Sequence, residues 1–199
     1  MIGSSGIAKF APVPSPPERF PALQASRRQF LRRAGAVAVT LLPAGALWAQ
    51  APLRRSLSFV HTHTGEAASS VYFRDGGYVA SELARINWLM RDFRTGDVHP
   101  IDPGVLDILA DLRTLADRDA PFEVICGYRS PQTNALLHSR SSGVAEHSLH
   151  LQGRAIDVRL SGFSTARLQQ LALGMNRGGV GFYAASDFVH LDNGRVRYW

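Results

Sequence analysis

The chain has 199 residues, with 22 basic and 16 acidic side chains and a net charge of +6 at pH 7. The first 49 residues hold six of the basic side chains and one acidic side chain, so the rest of the chain is almost neutral. That distribution argues against a clustered basic face, and we expect no nucleic-acid partner. The remaining part, about 150 residues, is long enough for one domain with its own core. The single cysteine, Cys126, excludes an internal disulfide.

The first 49 residues have the features of an export signal. Residues 26–31, Ser-Arg-Arg-Gln-Phe-Leu, have the form of a twin-arginine motif. The apolar stretch that follows, 34–49, is shorter than the roughly 20 residues of a membrane span. We predict a twin-arginine signal peptide with a disordered n-region over residues 1–49, recognised by the twin-arginine export machinery. The mature domain, residues 50–199, is then periplasmic and has no stable membrane span after processing. An uncleaved N-terminal anchor is the alternative.

Hydrophobic periodicity divides the mature part into strands and helices. Short alternating or apolar runs predict strands at 57–61, 71–74, 122–126, 155–160, 178–182 and 188–191. Apolar residues at helical spacing, together with capping signals, predict helices at 81–94, 102–115, 131–138 and 164–175. The sequence contains no Gly-rich phosphate loop and no internal repeat. The order predicts an α+β fold, a single domain with a small antiparallel sheet flanked by helices.

Two stretches near the end of the chain carry side chains that suit one metal ion. His150 and Asp157 lie seven residues apart, with Gly153 between them to turn the chain. A neighbouring strand brings His190 beside Asp157, because adjacent strands run about 4.8 Å apart. Two imidazoles and one carboxylate form the ligand set of a catalytic zinc ion, which keeps a fourth position for water. Alternation puts Asp192 on the face of His190, where its carboxylate can orient the imidazole.

The same residues carry a family resemblance. The spacing resembles the metal signature of the zinc D,D-peptidases, which include D-alanyl-D-alanine carboxypeptidases and share a fold with the hedgehog signalling domain. It is carried by Ser148, His150, Gly153, Ala155, Asp157 and His190. Over residues 55–199 the chain is similar, more closely, to a branch of exported murein endopeptidases. That similarity lies in His-Thr-His-Thr-Gly-Glu at 61–66, Gly-Tyr-Arg-Ser at 127–130, Gly-Gly-Val-Gly at 178–181 and Phe-Val-His-Leu-Asp at 188–192.

The resemblance implies a hedgehog/D,D-peptidase-like fold, peptidoglycan peptides as substrate, and Zn²⁺ bound by His150, Asp157 and His190. It also implies that Arg129 binds substrate or steadies the developing oxyanion, for which a guanidinium is well suited. A structural ion pair is the alternative for Arg129. Ser148 is a predicted substrate-site residue that orients its loop or His150, with a simple turn residue as the alternative.

Asp187 is the predicted general base. Members of the wider family place a Glu three residues before the last zinc-binding His, and Asp187 holds that position before His190. Aspartate is one methylene shorter, and a turn-forming role is the equal alternative. Glu146 and His147, just before the metal motif, are the fallback candidates.

Two further features have structural interpretations that outweigh functional ones. His61 and His63 share one face of a predicted strand and can be a second metal site, but two alternating ligands are more typical of an ordinary strand. Cys126 ends an apolar run, which favours a buried small hydrophobe over a nucleophile.

The sequence therefore predicts a zinc-dependent murein endopeptidase that hydrolyses peptide cross-links or stems through a zinc-activated water. Two alternatives stay open. One is a D,D- or L,D-carboxypeptidase of peptidoglycan peptides, and the other is a non-catalytic, zinc-containing wall-binding module.

Overall fold

The computed structural model describes residues 54–141 and 143–199, so the predicted signal peptide lies outside the described residues. Within these described residues, eight strands and four helices follow one another, with two short 3₁₀ turns among them. In chain order they are β1 (Arg54–His61), β2 (Ala67–Arg74), β3 (Gly77–Tyr78), α1 (Ala80–Leu89), α2 (Pro103–Leu115), β4 (Phe122–Cys126), α3 (Pro131–Arg140), the 3₁₀ turn Leu149–Gln152, β5 (Ala155–Leu160), α4 (Thr165–Met175), β6 (Gly179–Tyr183), the 3₁₀ turn Ala184–Ser186, β7 (Phe188–Asp192) and β8 (Arg197–Tyr198).

The helix starts follow the capping signals of the sequence. The side chains of Asp102, Ser130 and Ser164 cap α2, α3 and α4 by accepting backbone N–H groups of the first turn. Helix α1 ends five residues earlier than the predicted limit of 94. The reason is local, because the Asp92 carboxylate accepts the backbone N–H of Arg94 at 3.0 Å and so competes with the helical hydrogen bonds.

All eight strands join one mixed sheet in the order β3-β2-β1-β4-β5-β7-β6-β8. The β1–β4 and β6–β8 pairs are parallel, and the other pairs are antiparallel. The single α+β domain is confirmed, but the prediction of a small antiparallel sheet is wrong in both size and strand direction. Alternation identifies a strand without naming its neighbour, and the long connection through α1 and α2 permits parallel pairing of β1 with β4. The two-residue strands β3 and β8 are too short to show a pattern.

The two faces of β5 have different roles. Ile156, Val158 and Leu160 are at most 1% exposed and belong to the hydrophobic core, to which α2 and α4 contribute. Because side chains alternate along a strand, Asp157 and Arg159 point to the opposite face. That face holds the candidate site. Among the helices of the described ranges, none has the length and apolar character needed to cross a membrane.

Candidate metal centre

Three buried candidate ligand atoms converge between β5, β7 and the 3₁₀ turn that precedes β5. His150 Nε2 lies 3.2 Å from both Asp157 Oδ1 and His190 Nδ1, and His190 Nδ1 lies 2.8 Å from Asp157 Oδ1. Asp157 and His190 are directly paired across the antiparallel β5–β7 register, so their side chains share one face of the sheet. None of the three residues is more than 7% exposed.

These separations fit ligands of one ion. With zinc–ligand bonds of 2.0–2.1 Å, two ligand atoms at tetrahedral positions lie about 3.3 Å apart. The three observed separations, 2.8 to 3.2 Å, are close to that value. The donor set of two imidazoles and one carboxylate is also the set that a catalytic zinc ion takes.

Each imidazole is oriented by a hydrogen bond from its other nitrogen. His150 Nδ1–H donates to the Gly127 carbonyl at 2.7 Å, which leaves Nε2 free as a ligand atom. His190 Nε2–H donates to Asp192 Oδ2 at 3.0 Å, which leaves Nδ1 free. Such partners fix the tautomer and the ring direction of metal-binding histidines.

The turn that delivers His150 depends on Gly153. This residue has φ of +63°, and a Cβ on it would lie 2.1 Å from the Pro100 carbonyl oxygen. A side chain is therefore excluded twice, by conformation and by space. At the start of the same turn, the Ser148 hydroxyl accepts the backbone N–H of His150 at 3.4 Å while Ser148 also lines the cleft.

The electrostatics of the cluster favour positive charge at its centre. Burial alone would lower the pKa of His150, but the Asp157 carboxylate outweighs it and raises that pKa well above its usual value. Burial opposes ionisation of Asp157 as well, yet His150 and His190 hold the pKa of its carboxyl below the ordinary range. The Asp157 carboxylate therefore stabilises positive charge at the centre of the cluster, which a bound cation would supply in place of a proton on Nε2.

Arg129 lies beside the cluster, between β4 and α3. Its Nη2 is 3.8 Å from Asp157 Oδ2, and its Nη1 is 3.3 Å from Asn134 Oδ1. Its side chain is 11% exposed, and Nε is buried with no hydrogen-bond partner among the residues that the structure describes. The guanidinium therefore has a long ion pair and an unused donor at the same time. Arg129 also lines the cleft, so the exposed part of its side chain can reach a substrate carboxylate or a developing oxyanion there.

Cys126 lies next to the site, although its sequence context predicted only a buried position in the core. It is 9% exposed and pairs with Asp157 across β4 and β5. Its Sγ and the ligand atoms of His150 and Asp157 lie within 4.8 Å of one another. No local sequence signal reveals this, because the pairing of β4 with β5 is a property of the fold.

Asp187 lies outside the cleft. It has φ of +51° in the turn before β7, its Oδ1 accepts a hydrogen bond from Thr165 Oγ1, and its Oδ2 is 3.5 Å from Arg159 Nη1. The side chain is 65% exposed and is not among the described residues that line the cleft. His147 does line the cleft, and Glu146 lies on an adjacent surface. The role of Asp187 as base stays a prediction, and its contacts favour the turn-forming alternative.

His61 and His63 form a turn structure. His61 Nδ1 accepts the backbone N–H groups of His63 at 3.2 Å and Thr64 at 3.4 Å. The His63 ring stacks on Phe93 with centroids 4.1 Å apart. Within residues 54–141 and 143–199 the two histidines belong to no group of three or more potential metal ligands. These contacts favour the structural interpretation.

The cluster opens into a cleft of about 490 Å³. The loop at 143–148 lines one side of the cleft, and Tyr183, Phe188 and Trp199 line another. The sequence pattern gave no functional role to Tyr183 or Trp199, because their meeting depends on the parallel β6–β8 pair. A buried set of candidate metal ligands in an open cleft, with a guanidinium beside it, defines the class of the molecule as a candidate metal-dependent hydrolase.

Comparisons with known proteins agree with that class. A model of the peptidase M15_2 family, described as peptidoglycan L,D-endopeptidase MepK, matches residues 49–199. Peptidoglycan L,D-endopeptidase MepK of Escherichia coli strain K12 is 40% identical over 177 residues, which are 88% of this chain and 97% of that protein. The probable peptidoglycan L,D-endopeptidase MepK of Haemophilus influenzae is 38% identical over 177 residues, 87% of this chain and 95% of that protein. No solved structure matches the chain. The chain belongs to the peptidase M15_2 family.

Proposed function

We propose that this chain is a zinc-dependent peptidoglycan endopeptidase of the periplasm. Its family and its relatives, named as peptidoglycan endopeptidases, support the reaction and the substrate class. The observation that carries the proposal is the convergence of His150 Nε2, His190 Nδ1 and Asp157 Oδ1 within 3.2 Å of one another at the base of a cleft.

His150, Asp157 and His190 would hold the ion. A bound zinc ion supplies Lewis acidity, which makes water a competent nucleophile near neutral pH. The protein fixes the direction of both imidazoles through Gly127 and Asp192, and it places the three donors on rigid elements. Zinc is the metal that we propose, because its usual catalytic ligands are this mixture of nitrogen and oxygen donors.

Arg129 is the proposed substrate-binding and oxyanion-stabilising residue. Its guanidinium lies beside Asp157 in a mostly buried position, where a charge acts more strongly than in water. The residue lines the cleft, and its ion pair with Asp157 is long at 3.8 Å, so the guanidinium retains capacity to bind an anion there. Ser148 supports the same site by holding the backbone of His150.

Proton transfer needs a group that faces the cleft. Among the described cleft-lining side chains, His147 is the imidazole that does not belong to the ligand cluster, and imidazole is the side chain that most often serves as a general acid or base. We propose His147 as the proton-transfer residue, with Asp187 as the competing candidate because of its position three residues before His190.

The names of the relatives support a proposal for the bond that is cut. Both are described as L,D-endopeptidases, and we propose that this chain also cleaves an internal bond between an L and a D centre. Of the bonds in peptidoglycan cross-links, the one that joins two diaminopimelate residues has this stereochemistry. A carboxypeptidase would instead remove a terminal residue.

Digestion of purified muropeptides tests the proposal. Cross-linked dimers and uncross-linked monomers are incubated with the protein after chelation and after return of zinc, and the products are identified by mass spectrometry. We expect zinc-dependent conversion of diaminopimelate-linked dimers to monomers, with about one zinc ion per chain. His150→Ala should abolish both cleavage and zinc binding, whereas the matched variant His63→Ala should retain both. Trimming of monomers alone would identify a carboxypeptidase, and binding without cleavage under any metal supply would identify a non-catalytic module.

Export by the twin-arginine route is part of the proposal. The motif at 26–31 supports it. Fusion of residues 1–53 to a reporter that is active only in the periplasm tests it, with Arg27→Lys and Arg28→Lys combined as the matched variant. We expect the natural segment to direct the reporter to the periplasm and the double variant to leave it in the cytoplasm. Export that survives the double variant would contradict this route.

A further inference from the structure

Three aromatic side chains form a wall of the cleft beside the ligand cluster. Tyr183 and Phe188 stack with ring centroids 4.6 Å apart, and Trp199 Nε1 donates to Tyr183 Oη at 3.0 Å. The centroid of the indole lies 5.2 Å from that of the His190 ring. All three aromatic residues line the cleft that also contains Arg129. We call Tyr183, Phe188 and Trp199 the aromatic wall, and the proposed chemistry gives it no role.

The Trp199 indole is held in place although the residue is 48% exposed. Its backbone N–H donates to the Val180 carbonyl at 3.2 Å, and its main-chain oxygen accepts the backbone N–H of Phe182 at 3.1 Å. These two hydrogen bonds fix the backbone of Trp199 to β6. The indole lies close against Gly181, where a Cβ would come within 2.6 Å of Cε2 and 2.7 Å of Nε1. Any larger residue at 181 would displace the ring.

A fixed and half-exposed indole is an efficient binding surface. Aromatic side chains bury 150–250 Å² and are common among the residues that dominate binding energy. A side chain that is already immobilised loses little conformational entropy when a ligand covers it. The hydrogen bond to Tyr183 and the contact with Gly181 immobilise Trp199 before any ligand arrives.

The two sides of the cleft differ in free charge. Sheet order places β5 and β7, which carry two of the ligands, between β4 and β6. Arg129 follows β4, and its ion pair with Asp157 is long at 3.8 Å. Arg197, which lies over the Trp199 ring, is instead engaged by both carboxylate oxygens of Asp192 at 3.0 and 2.7 Å. The side of the aromatic wall, as far as the described residues define it, therefore offers ring faces rather than a free cation. Ring faces suit methylene groups and not a terminal carboxylate.

We propose that Trp199 is a specificity-determining residue that binds the aliphatic part of the cross-linked peptide, on the side of the scissile bond away from Arg129. This rests on the proposed endopeptidase function. An internal bond has peptide on both of its sides, so an endopeptidase needs a binding surface at each end of the cleft. Trp199 provides that surface at the end where Arg197 is already paired with Asp192 and is therefore not free to hold a chain terminus.

Kinetics of matched variants test the proposal with the full chain. Trp199→Leu keeps apolar bulk but removes the ring, Trp199→Phe keeps an aromatic face, and Trp88→Leu removes an indole that is 56% exposed on a different surface. We expect Trp199→Leu to raise KM for cross-linked dimers by about tenfold or more, with kcat and zinc content close to those of the natural protein. Trp199→Phe should raise KM less, and Trp88→Leu should leave it unchanged. A folded, zinc-loaded Trp199→Leu variant with unchanged KM would overturn the proposal.

A binding measurement on the natural protein avoids any folding defect of the variants. Cross-linked dimers are added to the chelated protein, and the indole N–H resonances are followed by nuclear magnetic resonance. The Trp199 resonance should shift in a saturable way while that of Trp88 stays in place. If the resonances of other cleft residues shifted in a saturable way while the Trp199 resonance did not move, the proposal would be overturned. Failure of the natural, zinc-loaded protein to cleave dimers would instead overturn the proposed function itself.

Discussion

Nε2 of His190 donates to the carboxylate of Asp192 at 3.0 Å, and four more N–H groups hold that carboxylate in place. Two come from the Arg197 guanidinium, and two come from the backbone of Gly179 and Gly194 at 3.0 and 2.8 Å. Burial would raise the pKa of Asp192, but the hydrogen bonds from His190 and Arg197 hold it well below its usual range. Asp192 is therefore an ionised and rigid support for His190.

Asp192→Asn should weaken zinc binding without removing a ligand. The amide of asparagine has no negative charge to strengthen the binding of His190 Nδ1 to a metal ion. Hydrogen-bond partners of this kind are worth about 10–100-fold in metal affinity or activity. Competition with a chromophoric chelator measures the affinity. Asp119→Asn, at a fully exposed carboxylate that pairs with Arg113 at 3.5 Å, is the matched control. Unchanged zinc affinity in Asp192→Asn would show that His190 does not depend on this carboxylate.

Arg129→Lys should lower kcat by about 10²-fold, the usual cost of losing an oxyanion donor. Lysine keeps the positive charge but cannot supply the planar set of donors of a guanidinium. Zinc content should be unchanged, because Arg129 contacts Asp157 only through a long ion pair of 3.8 Å. Steady-state kinetics and metal analysis of the same preparation separate the two effects. Near-normal kcat would leave Arg129 with a structural role alone.

The sequence predicted the parts of this molecule that depend on local signals. The caps at Asp102, Ser130 and Ser164 start helices as their side chains indicated. The turn at Gly153 also follows from sequence, because the chain must reverse between His150 and a strand that carries Asp157, and the residue has the expected positive φ.

Features that depend on strand neighbours could not be predicted in the same way. Cys126 reaches the ligand cluster only because β4 pairs with β5, and Trp199 reaches the cleft only because β8 pairs in parallel with β6. Both contacts join residues more than 15 positions apart. Hydrophobic periodicity carries no information about which strands become neighbours. The sequence therefore gave no indication that Cys126 or Trp199 lies at the site, beyond the apolar character of their side chains.

Two variants separate the candidates for proton transfer. His147→Asn should reduce kcat by on the order of 10²-fold or more if the imidazole moves the proton. Asp187→Asn should retain most activity, because its carboxylate is engaged by Thr165 and Arg159 outside the cleft and Asn also tolerates a positive φ. The pH dependence of kcat/KM for both variants completes the measurement. A loss of about 10²-fold in Asp187→Asn, with His147→Asn active, would assign the role to Asp187 instead.

Asp92 links the end of α1 to the segment that carries Arg129. It is 2% exposed, and its carboxylate accepts the backbone N–H groups of Ser130 at 2.9 Å and Arg94 at 3.0 Å. Burial opposes ionisation, but hydrogen bonds from Thr133 and Ser130 lower the pKa of Asp92 below its usual value. The ionised form therefore stabilises the fold and holds the residue that directly follows Arg129.

Asp92→Asn should lower the free energy of unfolding by about 1.5–3 kcal/mol at pH 7, the range for hydrogen bonds to a charged group. Because the pKa of Asp92 is lower in the folded state than in the unfolded state, its contribution is full above the unfolded value of about 3.9. The contribution is lost as pH falls through the lower, folded value, so the difference between the natural protein and the variant should narrow below about pH 4. Denaturant unfolding at several pH values, with chelator present throughout to remove the effect of metal binding, measures this difference.

Asp119→Asn, whose carboxylate is exposed, is the matched control and should show no comparable loss of stability at pH 7. Equal stability of Asp92→Asn and the natural protein at pH 7 would mean that this buried carboxylate does not stabilise the Arg129 segment.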